Sequence, residues 1–290
     1  MRLKIKHVTE YRYDEPVQFS LQRLRLTPVE GPGLRVLSWN IAVDGAKVEA
    51  GFNDQFGNHT HLVSYEGESS SVRIVASGEV ETEDRAGVYG PHVGYVPLWL
   101  YLRDTPFTKA GKLTKELVKS LEGDTDLAKM HDLMGKLHRQ VRYVPGTTST
   151  ETTAEQALEA GSGVCQDHSH IFIAVARFMQ FPARYVSGYL KMDEVEEQVA
   201  THAWAEVNLP GLGWVGFDAA NNVCPDDRYV RLASGLCYTD AAPISGMRIG
   251  IADEEMSVVV TVTDQNQSQS QSQSQGESKG QSQGQSSGQS

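Results

Sequence analysis

Cys165, His202 and Asp218 are the residues of this chain whose types and surroundings could do chemistry together. Cys165 lies where the Gly-rich turn Gly161-Ser162-Gly163 opens into a run with helical character. Unpaired N–H groups and the macrodipole at a helix N-terminus favour a thiolate, the attacking form of cysteine. The same N–H groups could hold the oxyanion of a tetrahedral intermediate. Read alone, Cys165 is open to two readings, a reactive thiolate and a small buried hydrophobe.

A nucleophilic cysteine needs a base, and the base needs an orienting partner. The segments 202–209 (HAWAEVNL) and 213–219 (GWVGFDA) read as strands joined by Pro210-Gly211-Leu212-Gly213. Folded as a hairpin of even register, they put His202 within about two positions of Asp218 across the ladder. His202, Trp204 and Glu206 then share a face with Trp214, Gly216 and Asp218, and Val207, Leu209, Val215 and Phe217 take the other. A carboxylate straight after Trp214-Val215-Gly216-Phe217 is costly without a partner. The plainer alternative is a strand-end histidine and a loop-capping aspartate.

Other candidates carry less. His168 and His170 sit near Cys165, but a helix turns them about 200° apart, poor geometry for one metal ion. Packing accounts for both, and helix-dipole placement accounts for Asp167. His59 and His61 share a strand face without a third ligand. Tyr143 is either an oxyanion donor or a core residue. Cys224 and Cys237 have no base at a recognisable spacing. The acidic run Asp193, Glu194, Glu196, Glu197 reads as a solvated loop, with a position over the cleft as the second reading. No cofactor or metal is expected.

The elements that must position these residues change character along the chain. Up to about residue 100 the segments alternate or are β-branched, with Asn53-Asp54 and Gly57-Asn58 as turns, which predicts a small sandwich. Leu113, Leu117, Val118 and Leu121 then fall at helical spacing. So do Leu127, Met130, Met134, Leu137 and Val141, with Thr125 or Asp126 as N-cap. A short helix over 154–160 is stopped by Gly161. The run 161–180 is apolar almost all round, as a buried central helix is. Strands are expected at 183–190, 202–209, 213–219 and 256–263. Beyond Asp264 the chain is almost wholly Gln, Ser and Gly and should be disordered.

Bulk properties remove several functions. With 26 Lys and Arg against 37 Asp and Glu, the net charge is −11 over 290 residues. That balance argues against nucleic acid and against an anionic membrane surface as partners. The charged N-terminus lacks the apolar core of a signal peptide, and no apolar run approaches a membrane span. Three cysteines make no disulfide framework, so the expected compartment is a reducing cytoplasm.

GSGVCQDHSH, PARYVSGYL, HAWAEV and GWVGFDAAN, in that order, resemble the transglutaminase-like superfamily in its bacterial, protease-like branch. YRYDEPVQFSLQRLRLTP and NDQFGN are similar to the β-rich N-terminal region of that branch, so the resemblance spans roughly residues 1–262. It implies an α+β fold: a papain/transglutaminase-like core, with a central helix packed on an antiparallel sheet, over 106–263. A β-sandwich-like domain over 1–105 precedes it, and a tail over 264–290 comes after. It also implies Cys165 as nucleophile, His202 as general base and acid, and Asp218 as the group that orients the imidazole. The family usually has Pro-Thr after the third of these residues, where this chain has Ala219-Ala220.

The function expected is a cysteine-nucleophile amide hydrolase, a peptidase or amidase passing through a thioester on a peptide or amide substrate. Acyl transfer to an amine, as in a transglutaminase, and a non-catalytic binding scaffold are the alternatives. Substrate identity and oligomeric state are left open.

Overall fold

A computed structural model describes residues 1–15, 17, 19–66, 70–193, 195, 197–249 and 254–265. The β-rich beginning contains β1 (Arg2–Tyr13), β2 (Phe19–Leu24), β3 (Leu34–Asp44), β4 (Lys47–Asn53), β5 (His59–Glu66), β6 (Ser71–Thr82) and β7 (Val88–Gly90). The helical middle holds α1 (Lys112–Lys119), α2 (Asp126–Gln140), β8 (Arg142–Tyr143), α3 (Ala154–Ala160), β9 (Ser162–Gly163) and α4 (Cys165–Phe178). The chain continues through β10 (Ala183–Leu190), β11 (Glu197–Gln198), β12 (His202–Leu209), β13 (Gly213–Phe217) and β14 (Tyr229–Gly235). It closes with α5 (Tyr238–Ala241), β15 (Ile244–Ile249) and β16 (Glu254–Asp264).

Among the described residues these strands build two sheets of a sandwich, ordered β11-β16-β1-β6-β3 and β15-β2-β5-β4. A third sheet, β14-β10-β12-β13-β7, backs the central helix. Alternation explains the sandwich: along β1, residues Leu3, Ile5, His7, Thr9, Tyr11 and Tyr13 point inward while their neighbours face out. In α2, Met130, Leu133, Met134 and Leu137 are buried, and Thr125 caps the helix by accepting from the Ala128 N–H at 3.1 Å. Thr153 and Gln156 form a capping box at α3, and Gly161, left-handed at φ 59°, ends it.

α4 is buried almost all round, as its apolar pattern predicts. Ile171, Phe172, Ile173 and Val175 are fully covered, each contributing about 1.5–3 kcal/mol. Arg177 is buried with them because its guanidinium is hydrogen-bonded to the carbonyls of Tyr101, Ala183 and Leu236 and to Thr108.

Strand pairing crosses the boundary that the sequence suggests at 105/106. β16 pairs along its whole length with β1, and β15 pairs with β2, so both complete the sandwich rather than the part built on the central helix. The reason is burial: Val260 and Val262 pack with Leu3 and Ile5 in the sandwich core. In the other direction, β7, from the first hundred residues, pairs with β13. The expected tail over 264–290 lies outside the described residues except for its first two positions. Among the described residues no helix is long and apolar enough to cross a membrane.

Candidate active site

The short parallel pair β8 and β9 delivers the chain to the start of α4, with Tyr143 opposite Gly163. Gly163 is there for lack of space, since a Cβ would come within 2.7 Å of the Asp167 side chain. Asp167, buried, accepts from the Val164 N–H at 2.8 Å and the Thr148 hydroxyl at 2.7 Å, which fixes the turn before the helix. Cys165 is the first residue of α4, so its N–H has no intrahelical acceptor. The thiol is buried but for 9% of the residue's surface.

The hairpin of β12 and β13 has the even register: Ala205 faces Phe217, Glu206 faces Gly216 and Asn208 faces Trp214. Val207, Leu209, Val215 and Phe217 turn toward α4, while Trp204, Glu206 and Trp214 occupy the other face. His202 Nε2 meets Asp218 Oδ2 at 2.6 Å, with both side chains buried. Nε2 is therefore committed to the carboxylate, and Nδ1 is the nitrogen left for the thiol.

Asp218 is held from several directions. Its Oδ2 also accepts from the Tyr229 hydroxyl and from Asn221 Nδ2, both at 2.7 Å. Its Oδ1 takes the N–H groups of Ala220 at 3.0 Å and Asn221 at 3.2 Å. Of the two residues that stand where Pro-Thr is usual, Ala220 thus gives its N–H to the carboxylate. Burial would raise the pKa of Asp218, but His202, Asn221 and Tyr229 outweigh it and hold the carboxyl below its usual range.

His202 shows the opposite balance. Burial works against the imidazolium, and the charge of Asp218, then that of Cys165, with hydrogen bonding to both, overcome it and push the ring up to about 10. Tyr143 is half exposed, which rules out the reading of it as a core residue, and Cys165 acts on it as well. Burial first, then the charge and hydrogen bonding of the thiol, push the Tyr143 hydroxyl up to about 12, so it stays a donor at neutral pH.

The remaining candidates sort clearly. The ring nitrogens of His168 lie 2.9 Å from the carbonyls of Val164 and Val141. His170, stacked on Phe107, accepts from the Tyr238 N–H, and burial pushes it down to about 3. His59 and His61 pack edge to face on β5. Burial pushes the Cys224 thiol up to about 11, and Cys237 Sγ is taken by Thr239. Asp193 pairs with Lys191 at 2.9 Å, and Glu197 lies in β11 against β16. Glu194 and Glu196 lie outside the described residues.

Sequence reasoning missed Tyr229 and Asn221. Asn221 stands in the loop after Asp218, a usual place for a side chain that folds back. Tyr229 had no signal, because its approach depends on β14 being placed beside β10. Also missed were Arg184 and Arg231, whose charges stand out in strands otherwise apolar.

A thiol at the head of a buried helix, on a sheet that carries a buried His–Asp pair, defines an α+β chain with a papain- or transglutaminase-like core. Residues 112–219 match the model of the transglutaminase-like superfamily, and residues 3–81 that of the bacterial transglutaminase-like N-terminal region. The chain belongs to the transglutaminase-like superfamily. A protein from Cytophaga hutchinsonii, solved as a candidate cysteine protease, shares the fold with a TM-score of 0.73. It is 22% identical, with 91% of each chain covered. Curated relatives are uncharacterised proteins of Mycobacterium leprae and Mycobacterium tuberculosis. The first is 27% identical over 90% of this chain and 98% of its own length, the second 28% over 91% and 92%.

Proposed function

We propose that this protein is a cysteine-nucleophile amide hydrolase, a peptidase or amidase working through Cys165, His202 and Asp218. The observation that carries the reading is the buried 2.6 Å contact between His202 Nε2 and Asp218 Oδ2, beside a thiol at a helix N-terminus.

In this reading His202 Nδ1 takes the Cys165 proton, and the thiolate attacks the carbonyl carbon of the amide. The N–H of Cys165 stabilises the oxyanion, and the Tyr143 hydroxyl is placed to assist. As the C–N bond breaks, the imidazolium gives its proton to the departing amine and a thioester remains. Water, losing a proton to His202, attacks the thioester and releases the acid, and the proton returns to the sulfur. Asp218 fixes the ring's orientation throughout and favours its charged form. The name of the Cytophaga relative supports hydrolysis. Three unpaired cysteines among the described residues support a reducing, cytoplasmic setting.

The test is a peptide and amide library screened with the wild type and the Cys165→Ala variant, with and without an added primary amine. Release of acid that depends on Cys165 supports hydrolysis, whereas amine incorporation in its place makes the protein an acyl transferase. Mass-spectrometric labelling with iodoacetamide at neutral pH separates both from a scaffold. A scaffold thiol at 165 would react no faster than Cys224 or Cys237.

A further inference from the structure

The face of the β10–β14 sheet turned away from α4 carries charge where a core would be apolar. Arg184 on β10 and Glu206 on β12 are direct cross-strand partners, and Arg231 stands on β14 at the other side of β10. Arg184 Nε and its terminal nitrogen both meet Glu206 Oε2 at 2.6 Å. Arg231 stands 3.6 Å from that same oxygen, beyond hydrogen-bond reach, and its Nε has no acceptor among the described residues. Glu206 is fully buried and Arg184 nearly so. Two guanidinium groups share one carboxylate, which leaves one positive charge in excess, and burying a charge with only part of its compensation is costly.

Arg184 and Arg231 line a cavity of about 350 Å³, a volume in the range of small-molecule sites. Its walls are aromatic: Tyr89, Tyr101, His92, Trp214 and Tyr229. The exposed Val93 and Tyr95 add an apolar rim. Neither Cys165 nor His202 lines it.

We infer that this cavity is a second binding site, separate from the thiol, for a small organic carboxylate with a flat apolar or aromatic body. The Arg231 guanidinium takes the carboxylate through its fork of N–H donors, and the aromatic walls take the body. A cation is disfavoured, because the Arg184 guanidinium already covers Trp214 at 3.9 Å from the ring centre. A dianion such as phosphate would exceed the single spare charge. Two of the carboxylates at the mouth are offset by cations of their own, and the third, Glu30, faces solvent. Asp226 is paired with Arg228 at 2.7 Å, Glu83 faces Arg85 at 3.8 Å, and Glu30 accepts the Val36 N–H at 3.0 Å.

The test is calorimetric titration of the full chain with 3-phenylpropionate, its amide and 3-phenylpropylamine. No turnover is involved, so the result stands apart from the proposed hydrolysis. The acid is expected to bind at least about tenfold more tightly than the amide, and the amine not at all. Arg231→Gln should cut affinity for the acid by at least about tenfold and leave that for the amide unchanged. Alkylating Cys165 beforehand with iodoacetamide should leave the acid's Kd unchanged, which separates the cavity from the thiol cleft. Equal binding of acid and amide would overturn the inference. So would the absence of saturable binding by the acid up to about 10 mM, or loss of its binding on alkylation. If Arg231→Gln does not fold, the ligand series on the wild type decides by itself.

Discussion

Asp218 accepts donors from His202, Tyr229, Asn221 and Ala220, and that crowd keeps a buried carboxylate charged beside the imidazole. Loss of one thiol at residue 165 removes little packing, so Cys165→Ala should fold normally, within about 1 kcal/mol of wild type. Its turnover on a substrate found by the library should fall by at least about 10³-fold; residual activity within about tenfold would remove Cys165 from the chemistry. His202→Ala should cost more than Asp218→Asn, since the imidazole moves the proton and the carboxylate orients it. The pH profile gives a further check. A ring raised from 6.5 to about 10 is stabilised in its protonated form. That stabilisation is present in full below about pH 6.5 and is lost as pH rises through about 10. For Asp218, held low, the stabilisation is present above the ordinary carboxylate range and lost as pH falls; both describe one contact and count once. The alkaline limb of kcat/KM should therefore lie near pH 10. Asp218→Asn should move it to lower pH by removing the largest influence that raises the ring. An unmoved limb would show that another group governs it.

Between elements, one carboxylate ties α1 to α3. Glu155, in the first turn of α3, accepts from the N–H groups of Gly111, Leu113 and Thr114 at 2.8–3.0 Å, and from the Thr114 hydroxyl. Those N–H groups open α1, whose N-cap Gly111 offers no side-chain acceptor of its own. Burial raises the Glu155 pKa, but the Thr114 hydroxyl and the amides outweigh it and hold it below the usual value. Its stabilisation is thus present above about pH 4.5 and lost as pH falls. Glu155→Ala should destabilise the protein by about 2 kcal/mol at pH 7, read as a lower denaturant midpoint. The deficit should shrink in acid. An unchanged midpoint at pH 7 would mean that water replaces the carboxylate without loss.

For the whole molecule, the decisive feature is that the last described strand returns to the first, with β16 laid along β1 and Val260 and Val262 in the sandwich core. Truncation after Gln265 should leave melting temperature and activity unchanged, because residues 266–290 are almost wholly Gln, Ser and Gly, with no apolar side chain to bury. Truncation before Glu254 should lower the melting temperature by many degrees or yield insoluble protein. It exposes the β1 edge and removes two fully buried valines. Similar melting of the two truncations would mean that β16 contributes little to the sandwich.

By itself the sequence determined what depends on period, punctuation and local chemistry. The central helix shows in its apolar girth, α3 in the Gly161 that stops it, and the hairpin in the parity of His202 with Asp218. The positions 165, 202 and 218 could be picked out because each stands at a local boundary, a helix start or a strand end. What only the tertiary structure decided is which distant segments become neighbours. Periodicity marks 256–263 as a strand and cannot say that its partner is β1. In the same way, nothing near Tyr229 announces that its hydroxyl ends on Asp218, or that Arg231 and Arg184 come to share Glu206. Those contacts arise from sheet order, and sheet order is set by burial summed over the whole chain, which no single segment carries.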